Sequence, residues 1–508
     1  MRFHLFCEGN GARWLFLAMA GFVGLALLPA SDAQQEEPRM VDLNVVALDS
    51  HGQAVTDLTR EELRVTDNGK PQTIAFFHHR DSALGAVPTL GTNEFSNRRG
   101  ANVPRATVIL FDLMNEKFGT RGNTASQLVH FLGSLESADY LYLYCVGIDG
   151  RLYPVHGLPG PEDRPEEPGV PWTRQIKPLL DAAMRALTQT RPVDEVDPTY
   201  RVQLTFQALD QVASELSRVP GRKSLVWLTD GVPIELGPNR SDTGDFVDFT
   251  PLVRQMSEVF DRFNTAIYPV RTVMMGSPQG MGGAGTSGIG SIDTLEQFAD
   301  LTGGRPDAGK DIGAAVRQAM IDMRTSYQVG YFPPAANWDN KLHKLRITCT
   351  RKGVRIQAKT AYYAWSEAPG ARSEQAINSV MPTTFDASEI GLHASLSRDK
   401  YDANGVHLDA HIDARDIVLV HRGDTYDGEL RLAVAGYAVG AQAVREPTIP
   451  MDLHLSEPER DKALKEGISF EHDMTLPEGT QTVRLIVFDR GSEAIGTLTL
   501  PVPPKPRR

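Results

Sequence analysis

The stretch Val108–Gly119 reads VILFDLMNEKFG. Four apolar residues run into Asp112, and the chain then breaks into a polar turn that ends on glycine. The apolar run has the texture of a buried strand. A carboxylate at its end is costly to bury unless something pairs with it. A second stretch has the same form: SLVWLTDG, Ser224–Gly231, places Asp230 at the end of another short apolar run. Helical patterns lie between and after these strands. Val202, Phe206, Leu209, Ala213 and Leu216, for example, make one apolar stripe at helical spacing. Continuous apolar strands alternating with helices over 103–325 predict an α/β fold, with a doubly wound, mostly parallel sheet covered on both faces.

In such a sheet ligands bind beyond the carboxyl ends of the strands, where Asp112 and Asp230 would stand. Two carboxylates brought together there either repel or share a cation. Oxygen ligands select hard divalent ions, so Mg²⁺, Mn²⁺ or Ca²⁺ is the class implied. The alternative is that both aspartates accept hydrogen bonds from backbone amides at helix starts.

Outward from this unit the texture changes to period two. Val41, Leu43, Val45 and Ala47 share one face, and Asn68-Gly69 marks a tight hairpin turn. The same texture returns from Tyr327 to 365. Neither piece has enough strands to close a core by itself. The N-terminal β unit at 40–80 is therefore expected to be completed by 327–365, with the 103–325 unit inserted between them. Polar stretches at 82–102 and 366–383 suit linkers. Over 384–503 short alternating strands recur, such as Val406, Leu408, Ala410, Ile412 and Val483, Leu485, Val487, which predicts a C-terminal β-sandwich.

The 508 residues carry a net charge of −12, which argues against a nucleic-acid partner, because phosphate binding needs a basic face. Arg2 and Arg13, the apolar run Trp14–Ala30 and the small residues Ser31 and Ala33 read as a secretory signal over 1–33, cleaved after Ala33. A retained anchor is the alternative. The expected location is periplasmic or extracellular. Cys145 and Cys349 sit in separate apolar strands and read as two buried thiols.

The 103–325 unit resembles a von Willebrand factor type A domain, through VILFD, SLVWLTDG and LEQFADLTGGRPDAGKDIGAAV. The whole chain is similar to the VWFA-related proteins of the acidobacterial type. The phrases that carry this are VTDLTREELRVTDNGKPQTIAFF, VPGRKSLVWLTDG, ADLTGGR, SYQVGYFPP and AKTAYYAW. The resemblance implies a Rossmann-like type A domain flanked by all-β sandwich domains. It also implies a metal-ion-dependent adhesion site of the form Asp-x-Ser-x-Ser, a threonine from a second loop, and a later aspartate. Asp112 matches the first aspartate and Asp230 the last. The serine positions hold Met114 and Glu116. A thioether is a poor ligand for a hard cation, whereas Glu116 offers a carboxylate. Thr199 and Thr205 are the candidates for the threonine. The site is thus degenerate, with Asp112, Glu116 and Asp230 as its candidate metal ligands.

Other signals carry less. The run GMGGAG, Gly280–Gly285, sits in a long glycine-rich stretch without the acidic partner of a nucleotide site. The tripeptide Arg422–Asp424 is a chance-level RGD, and His78-His79 point to opposite faces of one strand. His156 and His411 have no assignable partner. The expected function is that of an exported, non-enzymatic binding protein for another protein or an envelope component. The alternatives are a structural scaffold subunit without a metal site, and a hydrolase with unrecognised catalytic residues.

Overall fold

The computed structural model of the chain describes residues 39–81, 90–91, 93–98, 106–116, 118–135, 138, 140–159, 171–188, 198–217, 219, 222–232, 235–236, 247–272, 287–306, 311–366, 371–381, 386–399, 402, 404–438 and 443–504. The signal at 1–33 and the glycine-rich run at 280–285 lie outside these residues. Among the described residues no helix is long and apolar enough to cross a membrane.

Alternation of apolar residues makes Val41–Leu48 a strand with its Val41, Leu43, Val45 and Ala47 face buried. Its neighbour is remote in sequence: it pairs antiparallel with Thr325–Tyr331, Val45 opposite Tyr327. Ile74–Asp81 and Arg355–Gln357 complete a four-stranded sheet. A second sheet is built from Leu63–Asp67, Lys70–Gln72, Leu342–Cys349 and Ala361–Tyr363. The two share one apolar cluster, in which Leu43, Val65, Tyr327, Tyr331 and Tyr362 are buried. Asn68 and Gly69 both take positive φ, 47° and 79°, as the two-residue turn requires.

The Asp112 strand, Thr107–Asp112, lies at the centre of a five-stranded sheet. Lys223–Thr229 and then Thr265–Arg271 follow on one side, and Leu141–Val146 on the other, all parallel. Leu152–His156 closes the edge antiparallel. Successive strand residues feed opposite clusters: Val108, Leu110 and Trp227 face the helices Pro198–Ser217, Thr250–Arg262 and Ser287–Thr302. Ile109, Phe111 and Leu228 face Phe118–Gly133, Ile176–Thr188 and Ile312–Arg324.

The expected fold class is corrected by this architecture. The chain is not an α/β protein organised on a doubly wound, mostly parallel sheet. It is mostly β, 41% strand and 30% helix, in several antiparallel sheets and one mixed sheet. Strand–helix alternation is confined to 103–325, while strands on both sides of it carry most of the sheet. Within the mixed sheet, the turn from Gly147 to Arg151 closes on itself through Gly147 N–H to Arg151 O, 3.0 Å. So short a connection leaves no room for a crossover, and Leu152–His156 must run antiparallel.

The C-terminal strands form two antiparallel sheets about one core. One has Ile468–Thr475, Gly405–Ile412, Leu392–Arg398 and Glu94–Ser96; the other centres on Thr425–Ala438 and Thr480–Asp489. Leu396, Leu408, Leu432 and Leu485 meet between them. Glu94–Ser96 belongs to a stretch read as linker, yet it is the edge strand of this domain. The expected linker at 366–383 contains a helix, Ala371–Val380, which buries Ile377 and Val380 against Ala433, Ile486 and Phe488. Arg422 and Thr425 pair across the turn that holds the RGD tripeptide.

Candidate functional site

Asp112 is 1% exposed and its partners are uncharged. Its Oδ1 accepts the Asn115 backbone N–H at 3.0 Å. Its Oδ2 accepts from Asn115 Nδ2 at 2.8 Å, Thr229 Oγ1 at 2.9 Å and Trp227 Nε1 at 3.2 Å. All four bonds need the sheet or the turn in place. Trp227 and Thr229 come from the parallel neighbour strand, and Asn115 from the turn that ends the Asp112 strand. Burial pushes the Asp112 carboxyl above its ordinary range, and the bonds from Asn115, Thr229 and Trp227 pull it back. Asn115 Nδ2 also donates to Thr205 Oγ1 at 2.8 Å, which ties the helix Pro198–Ser217 to the loop.

Glu116 follows in the same turn and is fully buried. Thr124, in the next helix, donates its hydroxyl to Oε1. Oε2 has no hydrogen-bond partner. Arg121 holds the same turn: its Nε donates to the Glu116 backbone oxygen at 3.1 Å and its Nη2 to Leu113 O at 2.6 Å. Burial pushes the Glu116 carboxyl up to about 7, and the charges of Asp230 and Asp112 push in the same direction, while the Thr124 and Thr272 hydroxyls pull it back. Asp112 and Asp230 therefore both lie within electrostatic reach of Glu116, at the carboxyl end of the parallel strands. Asp230 is half-buried beyond Thr229, and Gly231 takes φ 100°, a conformation that favours glycine as the chain leaves the strand. Arg271 ends the next strand. Burial lowers its pKa, while the charges of Asp230 and Glu296 raise it.

No protein-family model matches the chain, and no curated protein matches it.

Met114, at the first serine position, is 1% exposed and packs in the apolar cluster with Val108, Leu110 and Trp227. It is a core residue, packed among apolar side chains. Thr205 reaches Asp112 through Asn115, whereas the Thr199 hydroxyl is buried without a hydrogen-bond partner. Sequence reasoning missed Asn115, Thr124, Trp227 and Thr229. An asparagine three residues after a strand-end aspartate is a local signal for a side-chain-closed turn. Trp227 and Thr229 had no such signal, because only strand order puts them beside Asp112.

Among the described residues, no three His, Cys, Asp or Glu side chains stand in position to hold one metal ion. An ion bound at Asp112 Oδ2 would have to displace Asn115, Thr229 or Trp227. The orphaned Glu116 Oε2, with Asp230 nearby, does suit an oxygen-seeking divalent cation. In that arrangement Asp112 stands behind the ligands and holds the turn. Cys145 is buried, its thiol pushed up to about 12 by burial, and Cys349 is half-buried; neither is in a disulfide.

Proposed function

We propose that the protein is an exported, non-enzymatic binding protein that docks another protein or an envelope component at the carboxyl end of its mixed sheet. The reading takes Mg²⁺, Mn²⁺ or Ca²⁺ as the ion held by Glu116 and Asp230. These hard ions take six or more oxygen ligands, so water and an oxygen of the partner complete the shell. The ion supplies positive charge at Glu116, on top of the Arg271 guanidinium that acts on Asp230. The supporting observation is Glu116 Oε2, a buried carboxylate oxygen that has only the poorly aligned Thr272 hydroxyl near it and stands beside two like charges. Folding leaves such an atom costly unless a ligand meets it. Export, and kinship with the VWFA-related proteins, enter this proposal on the sequence phrases alone.

One observation favours the rival reading, a scaffold subunit without a metal site: four donors of the chain itself already satisfy Asp112. Thermal unfolding of the chain with each cation and with chelator separates the two. Saturating ion is expected to raise the melting temperature, since a ligand at a hundredfold excess over its Kd stabilises by about 2.7 kcal/mol. Capture of a partner from envelope extract should be lost in chelator and in Glu116→Gln. A transition that no cation moves, with capture unchanged by chelator, would favour the scaffold.

A further inference from the structure

The outer face of the four-stranded C-terminal sheet carries two histidines side by side. His393 and His411 stand directly opposite on neighbouring antiparallel strands, with ring centres 6.1 Å apart. Their inward-facing neighbours Leu392, Ala394, Ala410 and Ile412 are buried, so the strands that carry the pair are anchored. The next row on the same face brings Glu94, Asp409 and Glu471 from three strands.

The two imidazoles are set up differently. His393 Nε2 is buried and has no hydrogen-bond partner, although Glu94 Oε2 is 3.2 Å away, off the direction a hydrogen bond needs. His411 Nδ1 meets Ser469 Oγ at 3.3 Å, and its Nε2 lies 3.9 Å from Asp409 Oδ1. A partner on one ring nitrogen fixes the tautomer and presents the other nitrogen to a metal. The Gly91 N–H donates to Glu94 Oε2 at 2.6 Å and fixes that carboxylate on the sheet edge.

We propose that His393, His411 and Glu94 form a binding site for a borderline divalent transition ion, Zn²⁺ foremost, with Asp409 as the fourth ligand. Opposed residues on adjacent strands have Cβ atoms about 4.5–5.5 Å apart, a span that lets two imidazoles reach one ion at about 2.0–2.1 Å. Imidazole nitrogen selects Zn²⁺, Ni²⁺ and Cu²⁺ over Mg²⁺ and Ca²⁺. In the structure each histidine turns toward its own carboxylate and the donors do not converge on a point. Rotation of half-exposed rings on an open sheet face closes that gap. This site is in a different domain from Glu116 and Asp230 and does not depend on the function proposed for them.

The test is calorimetric titration of Zn²⁺ into the full chain, purified without a histidine tag. One equivalent is expected to bind, and His393→Ala and His411→Ala are each expected to weaken binding about tenfold or more. Glu116→Gln is expected to leave it unchanged. Absence of saturable binding would overturn the proposal, as would equal affinity in the His393/His411 double variant or loss of binding in Glu116→Gln. A readout without substitution is electron paramagnetic resonance of the native chain with one equivalent of Cu²⁺. Two equatorial nitrogens are expected, and an all-oxygen spectrum would overturn the site.

Discussion

At the scale of the residue, Glu116 and Asp112 are two buried carboxyls with opposite provisions. Asp112 is met by four donors, whereas Glu116 has one hydroxyl and an orphaned oxygen. Glu116 has a folded pKa of about 7 against an ordinary 4.5, so the folded state holds its proton more tightly than the unfolded chain. The stability this confers is complete below about pH 4.5 and is lost as pH rises through 7. Asp489, pushed up to about 6 by burial, has the same sign but finishes titrating at lower pH. Lys223, pulled down to about 8 by burial, also titrates near this range, so Glu116 is read from the difference between the wild type and Glu116→Gln in urea unfolding between pH 6.5 and 8. Glu116→Gln is expected to flatten that slope and to be more stable at pH 8 by roughly 1–3 kcal/mol. For Asp112→Ala the direction reverses. It strands the Trp227 and Thr229 donors in the core and should cost on the order of 3 kcal/mol by the same measurement.

At the scale of the element, the informative cases are those where local pattern and final place disagree. Glu94–Ser96 lies in a stretch too polar and too rich in turn formers to read as a strand. It becomes one because Asn97, 5% exposed, pins it: Nδ2 donates to Ala387 O and Ile390 O at 2.6 and 2.8 Å, and Oδ1 accepts from Leu392 N at 2.8 Å. Asn97→Ala removes all three bonds and leaves buried backbone groups unpaired. It is expected to destabilise the C-terminal domain by about 2–3 kcal/mol in chemical denaturation. The helix Glu457–Glu466 shows the reverse, a strongly marked local signal. Ser456 and Glu459 close a capping box, with Ser456 N–H to Glu459 Oε2 at 2.9 Å. Ser456→Ala should cost about 1 kcal/mol, read as a small loss of melting temperature.

At the scale of the whole molecule, the N-terminal sheets are assembled from segments more than 250 residues apart. Asp67 accepts from Tyr331 and Tyr362 hydroxyls at 3.0 Å each and meets His343 Nδ1 at 2.9 Å, all from the far side of the central unit. Tyr327 donates to Val55 O and accepts from Leu58 N. A chain truncated after 324 loses every one of these partners. Its 41–81 segment is expected to be cleaved rapidly in limited proteolysis, whereas the full chain protects it. Such long-range pairing also predicts slow folding relative to a chain of local contacts.

What the sequence determined by itself is what depends on neighbours a few residues away. The buried faces of Val41–Leu48 and Gly405–Ile412 follow from period two, and the stripe of Pro198–Ser217 follows from period 3.6. The Asn68-Gly69 turn follows from its need for positive φ, and an acid at each of two strand ends could be read directly as Asp112 and Asp230. Tertiary structure alone decided that the chain is mostly β, since class depends on how many strands find partners and where. It alone turned Leu152–His156 antiparallel, drew Glu94–Ser96 out of a linker and set His393 against His411. It also decided what Asp112 pairs with. Trp227 and Thr229 are 115 and 117 residues away, and only the order of strands in the sheet brings their donors to a carboxylate that cannot remain buried without them.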